Sequence, residues 1–125
     1  MLFRSGVLYD GANIWVTDIL PGRLHKLDSN GAILLSVNVG SNPHTPVFDG
    51  TNIWVPNTDS NTVSVVRRTS TSTTPLATVS GNGLSSPTSA AFDGERILVA
   101  NFNGNSVSLW KATDLTPIGF PLPLW

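Results

Sequence analysis

The sequence predicts an all-β fold made of three four-stranded antiparallel units, and three observations support this prediction. An Asp-Gly pair followed by an apolar run occurs three times, at Asp10, Asp49 and Asp93, with a spacing of roughly 40 residues. Turn-forming residues separate short apolar segments along the chain. Charged residues make up only 12% of the 125 residues, while Ser, Thr, Asn and Gly are frequent. Four short strands repeating at this interval are typical of β-propeller blades, so we expect a partial propeller.

Each unit is expected to contain four strands joined by tight turns. In the first unit, about residues 1–44, the strands are placed at 7–9, 13–17, 23–27 and 33–39. In the second, about residues 45–88, they are placed at 45–48, 52–55, 62–67 and 76–79, with a Ser/Thr-rich surface loop at 69–74. In the third, about residues 89–125, they are placed at 89–92, 96–100, 106–111 and 117–121. Prolines disfavour a strand in that last segment. The three units are expected to form one domain.

The second strand of each unit is expected to be buried on both faces. A strand with one wet face alternates apolar and polar residues, whereas Ile14-Trp15-Val16 and Ile53-Trp54-Val55 are apolar at every position. In a propeller, this strand lies between the two neighbouring blades. The apolar runs therefore indicate packing of one unit against the next.

The residues that recur around the Asp-Gly pairs are expected to serve the fold. Three carboxylates could be metal ligands, but each precedes a Gly in a hairpin, where Asp accepts hydrogen bonds from nearby backbone amides. The two tryptophans occupy equivalent repeat positions, and Leu98 replaces them in the third unit, which indicates packing between blades. The residues given this structural role are Asp10, Gly11, Trp15, Asp49, Gly50, Trp54, Asp93 and Gly94.

Composition argues against several classes of function. The formal net charge is -1, so the chain lacks the basic surface that nucleic acids require. It contains no cysteine, which excludes disulfides and thiolate metal sites. No segment approaches the roughly 20 apolar residues of a membrane-spanning helix. The N-terminal residues lack the apolar core of a signal peptide, so none is expected in this chain.

Propellers usually bind their ligands at the face formed by the connectors between blades and by the turns between second and third strands. Here these segments are 42–45 and 85–88 for the connectors, and 18–22, 57–61 and 101–105 for the turns. No catalytic motif, metal-ligand pattern or cofactor-binding motif is found in the chain. The candidate binding residues are His44, Thr45, Asp18, Asn57, Asp59, Asn101 and Asn103.

The sequence resembles the bacterial YVTN-type propeller repeats, which are similar to the NHL and virginiamycin B lyase-like propellers. The resemblance is strongest over residues 97–109, where a strand, an Asn-rich turn and the segment Val107-Ser108-Leu109 follow one another. Residues 37–43 are similar to the family's connector into the next blade. The resemblance implies a propeller fold and suggests an extracellular or periplasmic location. The lyase-like branch uses a histidine and a magnesium ion, and neither His25 nor His44 lies in a matching context.

Two functions are compatible with these observations. The first is a non-catalytic repeat module that offers a binding face to a protein or a carbohydrate. The alternative is a virginiamycin B lyase-like, metal-dependent enzyme. Closed propellers have typically four to eight blades, so three blades need either further blades of a longer chain or self-association, and two copies could complete a six-bladed ring.

Overall fold

The computed structural model describes residues 4–119 and 122–123, which form three four-stranded antiparallel sheets. Within each sheet the strands are paired in chain order. The first sheet, blade 1, contains β1 (Arg4–Tyr9), β2 (Ile14–Asp18), β3 (Arg23–Leu27) and β4 (Ile33–Asn38). Blade 2 contains β5 (Val47–Phe48), β6 (Asn52–Asn57), β7 (Thr62–Arg67) and β8 (Ala77–Val79). Blade 3 contains β9 (Pro87–Phe92), β10 (Arg96–Asn101), β11 (Ser106–Lys111) and β12 (Leu122–Pro123). Among the described residues, no helix is long and apolar enough to cross a bilayer.

Predicted and observed strands differ at their ends: β1 begins at Arg4 instead of residue 7, β6 extends to Asn57 and β9 begins at Pro87. The first strand of blade 2 is only Val47–Phe48 instead of 45–48, because Pro46 lacks the N–H group that a longer ladder needs. In blade 3, Pro117 forms only an isolated bridge with Trp110, and the last strand is Leu122–Pro123 instead of 117–121. Residues 120 and 121 of that predicted strand, and Trp125, lie outside the described residues.

The blades pack face to face through two apolar clusters. Between blades 1 and 2 lie Trp15, Leu24 and Val37 from one sheet and Ile53, Val55 and Val66 from the other, all 0% exposed. Between blades 2 and 3, the cluster includes Trp54, Val63, Val65, Ile97, Val99 and Trp110. Every residue of β6 is buried, as its uninterrupted apolar run predicts for a strand with a blade on each side.

Blade 1 has an open apolar face because no described blade packs on its outer side. Ile14 is 40% exposed, whereas the equivalent Ile53 and Ile97 are 0% exposed. Val7 and Tyr9, from the neighbouring strand β1, are 67% and 65% exposed. The equivalent positions in the other blades are covered by a neighbouring blade. These residues of blade 1 are exposed to solvent because blade 1 is at the end of the array.

The Asp-Gly hairpin has the same hydrogen bonds in blades 1 and 2. Asp10 Oδ1 accepts the N–H groups of the residues two and three positions later at 2.8 and 2.6 Å, and Asp10 Oδ2 accepts the indole N–H of Trp15 at 2.8 Å. The corresponding distances from Asp49 are 2.8, 2.7 and 2.9 Å, the last to the indole of Trp54. Each carboxylate therefore closes its own hairpin and also satisfies the polar atom of a buried tryptophan.

Blade 3 keeps the hairpin but changes the third partner. Leu98 stands where the other blades have Trp, and Asp93 Oδ2 accepts instead from Arg96 Nε at 2.8 Å. The N–H groups of Arg96 and Glu95, together with the Arg96 side chain, lower the pKa of Asp93 to about 2. For Asp10, burial raises the pKa, but hydrogen bonds from Asn13, Trp15 and Ala12 outweigh it and hold the pKa below its usual value.

Candidate functional site

The connector face is the surface formed by the connectors 42–45 and 85–88 and by the turns 18–22, 57–61 and 101–105. In blade 2, the turn is bonded to the connector through the N–H groups of Thr58 and Asp59, which donate to the carbonyls of Asn42 and Ser41 at 3.1 and 3.2 Å. In blade 3, Phe102 and Asn103 donate in the same way to residues 86 and 85, at 3.0 and 3.4 Å. In blades 2 and 3, the turn is thus fixed to the connector of its own blade by backbone hydrogen bonds.

Two further hydrogen bonds connect the turn of blade 2 to the connector of blade 3. The Thr58 hydroxyl donates to the carbonyl of Pro87 at 2.7 Å, and the backbone N–H of Ser86 donates to Asn61 Oδ1 at 2.7 Å. The neighbouring blades are therefore held in register at the connector face by polar contacts, in addition to the apolar clusters below it. This gives the face a fixed shape.

Three of the candidate binding residues are buried beneath this face. Asp18, Asn57 and Asn101 occupy the same repeat position, the last residue of the second strand, and are 0%, 0% and 4% exposed. Asn57 Nδ2 lies 3.1 and 2.9 Å from the hydroxyl oxygens of Thr62 and Ser64. Asn101 makes the same pair of contacts to Ser106 and Ser108, at 3.2 and 2.9 Å. In blades 2 and 3, one amide thus ties the second strand to the third inside the blade.

The carbonyl oxygens of these two amides differ in their partners. Asn101 Oδ1 accepts the backbone N–H of Ser85 at 3.0 Å. The equivalent N–H in blade 2, that of Ser41, donates instead to the Ser60 hydroxyl at 2.8 Å, and Asn57 Oδ1 has no hydrogen-bond partner among the described residues. Gly40 lies directly against the Asn57 side chain, where a Cβ atom would come within 2.7 Å of Asn57 Cγ.

Blade 1 replaces this neutral arrangement by an ionisable one. Asp18 accepts a hydrogen bond from Arg4 at 2.6 Å and lies 3.2 Å from His25 Nε2, while His25 Nδ1 lies 2.8 Å from the Ser36 hydroxyl. Because a carboxylate can only accept, His25 Nε2 carries a proton and donates to Asp18. His25 and Asp18 stand where blades 2 and 3 have Ser and Asn. The cluster therefore occupies a position that the other blades use to join their strands.

The exposed candidates lie on the turns and connectors. Thr45, Asp59 and Asn103 are exposed, and His44 is half-buried with its backbone N–H bonded to the carbonyl of Pro56 at 2.9 Å. Thr45 forms a parallel bridge with Ser89, which places it beside the first strand of the next blade. Asp59 lines a groove of about 390 Å³ together with Ile19, Leu20, Pro21, Ser41 and Asn42. Among the described residues, no hydrogen bond joins the side chains of His44 and Asp59.

No metal centre is formed by the described part of the chain, since nowhere in it do three His, Asp or Glu side chains gather in a way that could hold an ion. The pair His25 and Asp18 supplies two ligand-type side chains, and the guanidinium of Arg4 and the imidazole both contact Asp18 Oδ2. These residues do not fit the divalent ion of a lyase-like active site.

Sequence reasoning missed several residues on the connector face and next to it. Phe102 is 75% exposed, Asn61 and Ser86 hydrogen-bond to one another, and Arg4 reaches Asp18. Alignment of the three repeats indicates that the site around Asp18 is unusual, because Asp18 and His25 differ from the Asn and Ser at the equivalent positions of the other two units. For Phe102, the signal was an aromatic residue within an Asn-rich turn.

Comparison with known proteins supports the fold. No family model matches the chain, and no curated protein sequence does. Among solved structures, the chain is similar to hydrazine synthase of Kuenenia stuttgartiensis, with a TM-score of 0.80, 17% identity, and coverage of 92% of this chain and 34% of that one. It is also similar to the computationally designed Ika4 protein, with a TM-score of 0.78, 14% identity, and coverage of 94% and 71%.

A third similar structure is a streptogramin B lyase, with a TM-score of 0.73, 19% identity, and coverage of 97% of this chain and 42% of that one. This chain therefore spans about a third to two fifths of the length of the two natural proteins. At such low identities the likeness concerns the fold alone. Three four-stranded antiparallel sheets packed face to face, together with these neighbours, identify the fold as three blades of a β-propeller.

Proposed function

We propose that this chain is a non-catalytic β-propeller module whose connector face binds a protein or a carbohydrate. The observation that carries the proposal is the network of backbone hydrogen bonds between connectors and turns, which fixes the face while leaving Thr45, Asp59 and Asn103 exposed on it. A rigid surface with exposed polar side chains loses little entropy when it binds a ligand. The low net charge supports a neutral or weakly charged ligand.

Arrays of glycans and of peptides, probed with the purified chain, test this function. The double variant Asp59→Ala/Asn103→Ala removes two exposed side chains from the connector face, and Asn30→Ala/Glu95→Ala removes two exposed side chains from the turns at the opposite ends of the strands. We expect binding to be lost in the first variant and kept in the second. Binding that is lost only in the second variant, or an array on which the wild type binds nothing, contradicts the proposal.

We extend the proposal to assembly, in which the open face of blade 1 packs on a further blade. Its support is the exposure of Val7, Tyr9 and Ile14 at positions of the kind that neighbouring blades cover elsewhere in the array. A second copy placed about a two-fold axis would bring the number of blades into the usual range of about four to eight and bury the end faces of both copies.

Light scattering at roughly ten to a hundred micromolar distinguishes the ways in which this face can be covered. A discrete dimer supports a ring of two copies, and polydisperse association supports blades that belong to a longer chain. A stable monomer refutes the proposed packing. Replacing Val7 and Ile14 by Ser and Thr is expected to weaken the association, while Leu76→Ser, an exposed apolar residue on blade 2, serves as the matched control.

A further inference from the structure

A cleft of about 340 Å³ opens between blades 2 and 3 at the ends of the strands that carry the Asp-Gly hairpins, opposite the connector face. Both of its walls belong to blades that are present in the chain, so the cleft is complete without a further blade. We call it the hairpin cleft. The lining residues that matter below are Asp49, Asn52 and Arg67 of blade 2 and Phe92, Glu95 and Ala112 of blade 3.

The equivalent cleft between blades 1 and 2 is smaller, about 210 Å³, and Arg68 lines it together with Asp10 and Lys26. The guanidinium carbon of Arg68 lies 6.0 Å from the centroid of the Phe48 ring. Burial raises the pKa of Asp10, and the positive charge of Arg68 is one of the influences that lower it. Between blades 1 and 2, the chain thus places a cation of its own beside a carboxylate and over an aromatic ring.

In the hairpin cleft, an alanine occupies the position of this arginine. The N–H group of Ala112 donates to the carbonyl of Glu95 at 3.0 Å, and the N–H group of Arg68 donates in the same way to the carbonyl of Thr51 at 3.0 Å. Ala112 and Arg68 are therefore equivalent residues of blades 3 and 2. The replacement of a long side chain by a methyl group explains why the hairpin cleft is the larger of the two.

The groups that surround the guanidinium of Arg68 have counterparts in the hairpin cleft. Phe92 directly precedes the Asp-Gly pair of blade 3, as Phe48 does in blade 2, and Asp49 corresponds to Asp10 on the facing blade. Glu95 adds a second carboxylate, which is exposed and has no hydrogen bond or ion pair to any side chain that the structure describes. The ring and the carboxylates are thus present without the cation.

Two further side chains of blade 2 line the hairpin cleft. Asn52 is 7% exposed, and its Oδ1 has no hydrogen-bond partner in the described part of the chain. The equivalent Asn13 instead donates from its amide to the carbonyl of Leu27 at 3.0 Å. Arg67 is exposed, which places its charge at the rim. The hairpin cleft therefore combines a buried acceptor without a donor, carboxylates, an aromatic ring and one cation at the rim.

We infer that the hairpin cleft binds a ligand with a guanidinium group, such as arginine, in the position that Arg68 fills between blades 1 and 2. A planar guanidinium stacks on an aromatic ring, here that of Phe92, and donates hydrogen bonds to carboxylates. Arg67 supplies a cation for the carboxylate of free arginine. This site lies at the opposite ends of the strands from the connector face, so it does not depend on binding there.

Isothermal titration calorimetry of the full chain with L-arginine, agmatine and L-citrulline tests the ligand class. Citrulline has the shape of arginine but carries a neutral urea group, and agmatine lacks the carboxylate. We expect arginine to bind more tightly than agmatine, and citrulline to give no binding heat at concentrations at which arginine saturates the site. Arg67→Gln is expected to lower the affinity for arginine to that for agmatine.

Four variants locate the site. Ala112→Arg supplies the guanidinium from the chain itself and is expected to abolish arginine binding. Glu95→Gln and Phe92→Leu are each expected to weaken it by about two- to fivefold, the effect of one exposed charge pair or one cation–π contact. Asp114→Asn removes an exposed carboxylate of blade 3 outside the hairpin cleft and serves as the matched control, with binding unchanged.

Circular dichroism of each variant separates a lost site from a lost fold, and Glu95→Gln and Phe92→Leu decide the outcome if Ala112→Arg does not fold. Three results overturn the inference. They are equal binding of citrulline and arginine, arginine binding that neither Glu95→Gln nor Phe92→Leu weakens, and no arginine binding up to roughly 10 mM. Each of them leaves the proposed function of the connector face standing, because that face lies at the other end of the blades.

Discussion

Asp49→Ala removes three hydrogen bonds from blade 2, and its effect on stability follows from one buried atom. The carboxylate accepts the N–H groups of Thr51 and Asn52 at 2.8 and 2.7 Å and the indole N–H of Trp54 at 2.9 Å. Trp54 is 0% exposed, so its indole N–H cannot turn to water when the carboxylate is removed. Leaving a buried donor unpaired costs about 1–3 kcal/mol, and each hairpin bond contributes about 0.5–1.5 kcal/mol. We therefore expect the free energy of unfolding to fall by about 4 kcal/mol.

Two variants isolate the contribution of the indole. In blade 3, Asp93 closes the same hairpin but bonds Arg96, whose side chain is 46% exposed, so Asp93→Ala leaves no buried donor without a partner and is expected to cost clearly less. Asp49→Asn keeps an oxygen for the two hairpin N–H groups and places an NH₂ group opposite the indole N–H. Its effect should lie between the other two.

Urea unfolding followed by tryptophan fluorescence and by circular dichroism measures all three variants. Fluorescence reports on the surroundings of the indole and circular dichroism on the sheets, so agreement between the two curves supports two-state analysis. Equal destabilisation by Asp49→Ala and Asp93→Ala would refute the reasoning, because it would mean that the bond between the carboxylate and the indole does not contribute to stability.

Three further outcomes are expected from the same contacts. Trp54→Ala should lower the free energy of unfolding by about 3–5 kcal/mol in urea titrations. Phe102→Ala should change it by less than about 0.5 kcal/mol. A cooperative, nearly unchanged unfolding curve for Trp54→Ala would contradict the assignment of Trp54 to the core. Gly50→Val should lower the free energy of unfolding by more than about 1 kcal/mol. The effect is due to backbone strain alone, since φ of Gly50 is +96° and no atom lies within 4 Å of an added Cβ. An unaltered thermal midpoint would show that the turn tolerates a side chain. The pKa of Asp93 is lowered from 3.8 to about 2, and that of Asp10 is also lowered. The stabilisation by these two carboxylates is therefore present above pH 3.8 and is lost as the pH falls towards 2. Thermal midpoints should decline over that interval, and they should decline less in Asp93→Ala.

The blades could be predicted from the sequence because the signals for them are local and repeated. Asp-Gly turns and apolar runs specify hairpins from a few adjacent residues, and three copies of the pattern reinforce one another. The ends of the strands were less predictable, because they depend on which backbone N–H groups find partners in a neighbouring strand. Pro46 shortens the first strand of blade 2, and Pro117 leaves only a bridge where a strand was expected.

Burial at the connector face could not be read from residue type. Asn57 and Asn101 are polar residues at a turn, which predicts exposure, yet both are buried because the connector crosses above them. Conversely, an aromatic residue such as Phe102 predicts a buried position, and the structure leaves it in solvent. In both cases the burial of the side chain depends on contacts between segments that are distant along the chain. These contacts cannot be predicted from the residue type.

The bond between the Asp carboxylate and the Trp indole also has a consequence for how the chain folds. It joins residues only five positions apart, so it can form with little loss of loop entropy and without any neighbouring blade. The hairpins of blades 1 and 2 can therefore orient their tryptophans before the sheets pack together. Blade 3 has Leu98 at this position and lacks the equivalent hydrogen bond. We expect early structure in the first two hairpins and later ordering of the third, so that mutations at Asp10 and Asp49 slow folding while mutations at Asp93 mainly speed unfolding.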